Sequence, residues 1–459
     1  MSESYVRDRL AELVLGIGYA DLPERTVHQA KRMVLDSMAC LLGGYTSRPA
    51  KIVRQTLREL GGNPTATVYG SAERTSATHA TLANGTAIRF LDWNDYYFRR
   101  DPSHASGNLA AALAVAESEG LDGKALLLGF VIGYEVQLRL VDHAGVPNLW
   151  ERGWHHATNM AFSSAALSAH LMGLDALGTA NAMAIAGSHN NTLTQSQRGN
   201  IPMMKATAEA AIAKGGVEAA LLARAGLSGP EEAFEGKFGW IPVVAGEVDL
   251  DGLLAPHGGR FKIEDTCIKP YEAEMMTQSS VQAAIDVARE GRIDPDEVLH
   301  VEARFHDYAF RKPSWDPKKL QPKDKETADH SFPYCIAVAM IDGDCGPEQY
   351  TEERLADPRV RDLMAKVELT VDPALTALLP EKFGTAVKVT MRDGSVHESV
   401  CECPPGHPEN PLSDVQIEAK FRRLAKGLLS PRQIDQAIAA TWSLDSCYDM
   451  ADYAASFVI

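Results

Sequence analysis

Residues 205–225 read KATAEAAIAKGGVEAALLARA, a run in which alanine, glycine and leucine occupy every side of a helical wheel. A helix with one wet face would carry a continuous polar stripe. Small residues all round instead suit a helix packed closely on several sides, so the run predicts one of the close-packed helices of a large helical domain. The same texture extends outward over 75–91, 104–119, 123–141, 155–172 and 176–188, with Ala110-Ala111-Ala112 as another stretch of small residues. Upstream, Leu22-Pro23-Glu24 opens a helix whose apolar positions Val27, Val34, Met38, Leu41 and Leu42 share one face, and Gly43-Gly44 is its expected stop.

From about residue 261 the texture changes. Segments 298–305, 367–371 and 386–391 alternate polar and apolar residues, as half-buried strands do, and Asp393-Gly394 marks a hairpin turn. Helical spacing over 274–290 and 330–341 accompanies these strands, so the second region is expected to be α+β. Helical spacing returns over 413–429 and 431–440, with Ser413 as N-cap. The expected architecture is mostly α with an α+β second domain: a helical domain from 1–265 and 411–459, and an inserted α+β lid from 266–410.

The chain has 459 residues, with 45 Lys+Arg against 61 Asp+Glu and a formal net charge of −16. That balance argues against nucleic-acid and anionic-membrane partners, which require clustered positive charge. The densest basic stretch, 312–325, mixes Lys318, Lys319 and Lys323 with Asp316 and Asp324 and reads as a solvated loop. No window has the roughly 18 consecutive apolar residues of a membrane span. The opening MSESYVRDRL has neither a basic segment nor an apolar one, so a cytoplasmic location is expected. The 7 cysteines are scattered and odd in number, which reads as reduced thiols, mostly in the core.

Common cofactor motifs are missing: no GxGxxG after a strand, no GxxxxGK[ST], no HExxH and no GxSxG. No cofactor is expected. Adjacent His155-His156 point to different faces, and His300 and His306 lie on an extended segment, so no metal site is expected either. What remains is a set of polar residues at helix junctions. Asp92 follows an apolar helix, and His104 stands at the start of the next, where the positive end of the helix dipole favours the neutral imidazole. Spacing leaves open whether Asp92 orients His104 or merely caps a helix. It also leaves open which of His155 and His156 faces a cleft. Lys205 begins an alanine-rich helix and Lys269 lies at the suspected domain junction. Together these residues suggest a cleft that binds an anion and moves protons.

Several ordered motifs then add up: Gly62-Asn63-Pro64; Ala83-Asn84-Gly85 leading to Phe90-Leu91-Asp92 and Ser103-His104; Gly153-Trp154-His155; Met204-Lys205-Ala206; Ile268-Lys269; Asp329-His330-Ser331 with Pro333-Tyr334; and Gly406-His407-Pro408 through Ser413-Asp414. In this order they resemble the MmgE/PrpD superfamily over nearly the whole chain. The resemblance implies a helical domain built from both chain ends, an inserted α+β lid, a homodimer and no metal or organic cofactor. It further implies proton transfer at a carbon next to a carboxylate of a small polycarboxylate. By motif, Asp92, His104, His155 and Tyr334 fall at catalytic positions, with Lys205, Lys269 and His330 binding substrate. On this basis His104, oriented by Asp92, is the expected acid or base, His155 the second proton-transfer group, and Tyr334 a donor to a departing hydroxyl or to a carboxylate.

The resemblance leans toward the dehydratase branch, acting on a 2-methylcitrate-like hydroxy-tricarboxylate in propionate metabolism. A cis-aconitate-type decarboxylase, an iminodisuccinate-type epimerase and a non-catalytic polycarboxylate binder are the alternatives. Met275-Met276 replaces the Phe-His pair usual in the dehydratase branch, Asn94 stands where an acid is common, and Arg99 or Arg100 is a candidate carboxylate clamp.

Overall fold

The computed structural model describes residues 5–146, 148–312 and 315–459. The helix Lys205–Arg224 lies at its centre. It packs against Ala77–Phe90, Asn108–Ser118, Met160–Leu171 and Ala176–His189, which its small residues allow, while Ala211, Glu218 and Leu222 are exposed on the remaining side. One hydrophobic core runs through this bundle and includes Ile417, Phe421, Ile438 and Phe457, so both ends of the described chain share it. The C-terminal helix Asp414–Ala425 packs on Glu24–Tyr45. Ser413 caps it as expected, its Oγ accepting the Gln416 N–H at 3.3 Å.

A second core is built mainly from residues between Cys267 and Cys401. Its sheet has four strands in the order Val396–Cys401, Thr385–Met391, Val298–Phe305, Val367–Val371. The first three are mutually antiparallel neighbours, and Val367–Val371 runs parallel to Val298–Phe305. The helix Gln278–Glu290 lies against the hairpin strands and against Phe332–Asp342. The molecule is thus mostly helical with a smaller α+β unit. The helical part is not wholly so, because it carries short antiparallel ladders such as Tyr97–Phe98 with Pro102–Ser103.

Three departures from the sequence reading have physical causes. The helix Glu24–Tyr45 runs through Gly43-Gly44 instead of stopping there. A Cβ on Gly44 would lie 2.1 Å from the Ala87 carbonyl oxygen, so this glycine permits a helix crossing and does not end a helix. The helices expected from His104, His155 and His330 start later, at Asn108, Met160 and Phe332. Each histidine therefore lies in the lead-in to its helix. Finally, the described residues of 312–325 are only partly a solvated loop: Lys318 and Lys323 are exposed, but Lys312 and Lys319 are buried, and Lys325 is bonded to Asp329 at 2.7 Å.

Among the described residues all seven cysteines are free, five of them buried, and no helix is long and apolar enough to cross a membrane.

The two segments joining the units cross at Gly406. Its carbonyl accepts the Ile268 N–H at 3.0 Å, its φ is +90°, and a Cβ there would sit 1.8 Å from the Ile268 oxygen. Gly427 has a similar φ of +81° with nothing within 4 Å of the added atom. Gly427→Ala should therefore cost only the left-handed penalty of about 1–2 kcal/mol. Gly406→Ala should cost clearly more in denaturant unfolding; equal costs would show that the crossing is not tight.

Candidate active site

Asp92 follows the helix Ala77–Phe90 with φ +53°, a left-handed conformation that aspartate tolerates better than most residues. This turn presents both its carbonyl and its carboxylate to Lys269, whose Nζ donates to them at 2.8 and 2.6 Å. Arg89, one turn earlier, places Nη1 2.9 Å from the same carboxylate, and Lys205 at the head of its helix bonds the other oxygen. His330 Nε2 lies 3.4 Å away. Burial alone would raise the Asp92 carboxyl; Arg89, Lys205 and Lys269 outweigh it and hold the group well below the usual carboxylate range.

Arg89 also donates from Nε to Glu209 at 3.0 Å, and Glu209 lies 3.3 Å from Nε2 of His156. Glu209 is four residues beyond Lys205 on one helix, yet it pairs with Arg89 because the neighbouring helix brings that guanidinium into reach. His104 donates from Nδ1 to the carbonyl of Asp95 at 2.6 Å. A carbonyl only accepts, so the neutral ring keeps its proton on Nδ1 and its lone pair on Nε2. Burial and the Arg89 charge push its pKa well down. The expected partnership of Asp92 with His104 is therefore corrected: Asp92 serves the cations, and the Asp95 backbone orients the ring. Asp95 is itself fixed by Tyr134 Oη at 2.7 Å and Ser106 Oγ at 2.5 Å, and burial raises its carboxyl to about 7.

These groups form one wall of a narrow cavity between the two units, whose water-sized space is about 40 Å³, well under the usual volume of a small-molecule site. Arg89, Asp92, Pro102, His104, His156 and Gln197 line it from the helical side. Glu274, Met275, Met276, Tyr308, Lys312 and His330 line it from the α+β side. Lys312 bonds Glu274 at 2.5 Å, and His330 is held by Asp329. Burial and the Lys205 ammonium push His330 down to about 4, so it is uncharged at neutral pH.

Of the residues singled out in the sequence, Asp92, His104 and His330 line this cavity, and Lys205 and Lys269 reach it through the carboxylate of Asp92. His155 is buried beside His156, ring centroids 3.9 Å apart, and His156 forms the wall. Tyr334 is corrected outright. It sits on the inner face of the Phe332–Asp342 helix, is fully buried in the core of the α+β unit, and donates its hydroxyl to the Gln349 carbonyl. Arg99 and Arg100 are exposed, and Asn94 is buried with its amide donating to Ser106 at 3.0 Å. Arg89, Glu209, Tyr308 and Lys312 were missed, although the three-residue spacing of Arg89 and Asp92 was a usable signal.

Among the described residues two groups of ligand-type atoms come within 4.8 Å of one another: His104, His156 and Glu209, and Asp92, Asp329 and His330. In both, the carboxylates already serve Arg89, Lys205, Lys269 or Lys325. A further cation would face that positive charge, so the donor sets do not suit a metal ion.

The MmgE/PrpD N-terminal domain model matches residues 8–252 and the C-terminal domain model residues 271–444. The chain is 27% identical to a cis-aconitate decarboxylase of Homo sapiens, over 97% of this chain and 92% of that protein. It is 26% identical to a mitochondrial 2-methylcitrate dehydratase of Yarrowia lipolytica, over 90% and 82% of the two chains. With a 2-methylcitrate dehydratase of Cupriavidus necator it shares 27% identity, over 90% and 88%.

Asp92→Asn should destabilise the protein by about 3–5 kcal/mol, the usual cost of leaving buried partners uncompensated; a denaturant midpoint within error of wild type would contradict this. His330 gives a pH dependence of definite sign. The unfolded imidazole binds a proton near its ordinary 6.5, whereas the folded one resists protonation down to about 4. Its contribution is complete above 6.5 and is lost as pH falls toward 4, up to about 3 kcal/mol at 1.36 kcal/mol per unit. Unfolding free energies at the two ends of this window should differ less in His330→Gln than in wild type.

Proposed function

We propose a function on one premise: the chain belongs to the MmgE/PrpD family. It is a lyase that works without metal or organic cofactor on a small polycarboxylate, by proton transfer at a carbon next to a carboxylate. One observation carries this: His104 is buried, neutral and oriented by a backbone carbonyl, with its lone pair on Nε2, in a cavity that Arg89 lines from the same side and Lys312 from the opposite one. A neutral imidazole in that position accepts a proton. The electron pair left behind moves toward the neighbouring carboxylate as an enediolate, and charge-assisted donors stabilise that dianion more strongly than the ground state. Arg89, held on two sides by Asp92 and Glu209, is the pre-organised donor. Lys312 approaches from the α+β side.

The first reading is dehydration of a 2-methylcitrate-like hydroxy-tricarboxylate, supported by the named dehydratases among the relatives. Decarboxylation of a cis-aconitate-like acid is the second. A specific observation favours it: the Tyr334 hydroxyl, the expected donor to a departing hydroxyl, is engaged inside the α+β core. Met275, Met276 and Pro102 add an apolar stretch of wall that suits the alkyl or alkene part of either substrate.

Purified protein incubated separately with 2-methylcitrate and cis-aconitate, followed by mass spectrometry, distinguishes the readings. Loss of water from the first supports dehydration, loss of carbon dioxide from the second supports decarboxylation, and turnover of neither removes both. Lys312→Gln should raise KM by about 10–100-fold, matching the 1.5–3 kcal/mol of a hydrogen bond to a charged group. An unchanged KM would place the substrate carboxylates elsewhere.

A further inference from the structure

A second cavity lies in the helical unit and shares no lining residue with the one at the junction. It is the larger of the two, with about 190 Å³ of water-sized space. It forms where the helix Arg48–Leu60 meets the helix Ala77–Phe90 and the short ladder of Ala66–Thr67 with Arg74–Thr75. Part of its lining is apolar. Leu57, Val68 and Ala83 meet there, with Val53 and Leu82 packed against them, in a cluster separate from both main cores. Arg54, Leu57 and Arg58 follow one another at helical spacing, so one face of the helix brings both apolar surface and two guanidinium groups to the cavity.

The three arginines of the lining differ in how their charge is met. Arg58 is paired with Glu73, Nε donating to Oε2 at 2.9 Å and Nη2 to the other oxygen. Arg74 is paired with Glu117 at 2.8 Å. Arg54 is only 9% exposed, lies 3.8 Å from the centroid of the Tyr45 ring, and donates from Nη1 to the Tyr45 carbonyl at 2.7 Å. Among the described residues it has no carboxylate partner and no other hydrogen bond. Neither a carbonyl nor a ring face carries net charge, so a cation that burial has stripped of most of its water is left uncompensated beside an open cavity. Buried charges are ordinarily paired, and this one calls for an anion from outside the chain.

We propose that this cavity is a binding site for a small monocarboxylate with an apolar body, its carboxylate on Arg54 and its alkyl or aryl group against Leu57, Val68 and Ala83. With Nη1 engaged by Tyr45, the edge that remains is Nε with Nη2, whose two parallel N–H groups match a carboxylate. The charges also set the valence. Arg58 is already neutralised and Glu73 stands in the same lining, so one negative charge is compensated and a second would face a carboxylate. Thr75 adds a hydroxyl to the lining as a further donor. The ligand class is thus distinct from the polycarboxylate proposed for the junction cavity.

The test titrates hexanoate, benzoate and inorganic phosphate separately into the full chain by calorimetry, in wild type, Arg54→Gln, Ala83→Leu and Lys312→Gln. Thermal unfolding reports folding, and light scattering reports oligomeric state. Hexanoate or benzoate should bind wild type. Arg54→Gln should weaken that binding by about 10–100-fold, the scale of a lost hydrogen bond to a charged group. Ala83→Leu leaves the guanidinium in place and should abolish binding by filling the space the ligand needs. Lys312→Gln, in the other cavity, should change it by less than about threefold, as expected of independent sites. Phosphate should bind at least about tenfold more weakly than the better monocarboxylate, since it brings extra charge toward Glu73 and no apolar contact. Binding of neither monocarboxylate to wild type overturns the proposal, as does unchanged binding in a folded Arg54→Gln or a folded Ala83→Leu protein. Phosphate bound as tightly, and as dependent on Arg54, overturns the ligand class. A wild-type dimer that dissociates in Arg54→Gln makes this face an interface between copies and overturns it as well.

Discussion

Everything at the junction of the two units turns on one buried carboxylate. Asp92 is approached by Arg89 from its own helix, by Lys205 from the head of the central helix, by Lys269 from the connecting segment and by His330 from the α+β unit. Without that anion three cations would face one another in a low-dielectric interior, where repulsion is screened far less than in water. The carboxylate therefore fixes where four separate stretches of chain can lie. Lys420 extends the arrangement: its ammonium bonds Asp36 and the Trp93 carbonyl, both at 2.6 Å, and the Lys269 carbonyl at 3.1 Å. A C-terminal helix thus holds the segments on either side of Asp92 in place.

The same arrangement sets the chemistry. Positive charge gathered around Asp92 adds to desolvation in keeping His104 and His330 uncharged. A histidine pressed toward neutrality is a competent proton acceptor, and the Asp95 carbonyl leaves the lone pair of His104 on Nε2 by engaging Nδ1. A net charge of −16 repels a polyanion at long range. Attraction is left to the short range, where Arg89 and Lys312 stand on opposite walls. The two units supply one each, so the polyanionic substrate proposed above would meet a cation from both.

Much of this was legible in order of residues. The alanine-rich runs marked the bundle, and strands 298–305 and 367–371 were placed with the bounds the structure has. Helix starts near histidines were misplaced, since helical spacing continues into lead-in residues whose backbone is not helical. His104, for example, has φ −129° and ψ 84°. The two buried lysines of the basic stretch 312–325, Lys312 and Lys319, escape the sequence reading for a different reason. Lys312 is buried only because Glu274, far earlier in the chain, meets it, and no local pattern carries a contact of that range.

The sequence by itself determined most of the layers: where most helices and strands lie and which polar residues stand at their junctions. Periodicity and residue size are local properties, and they are sufficient for that. Tertiary structure alone decided partnership. It gave Asp92 to the lysines instead of to His104, turned Tyr334 into the α+β core, joined Glu209 to Arg89 and put His156 on the cavity wall. Charges choose partners by distance and burial, and both arise only when helices far apart in the chain are packed against each other.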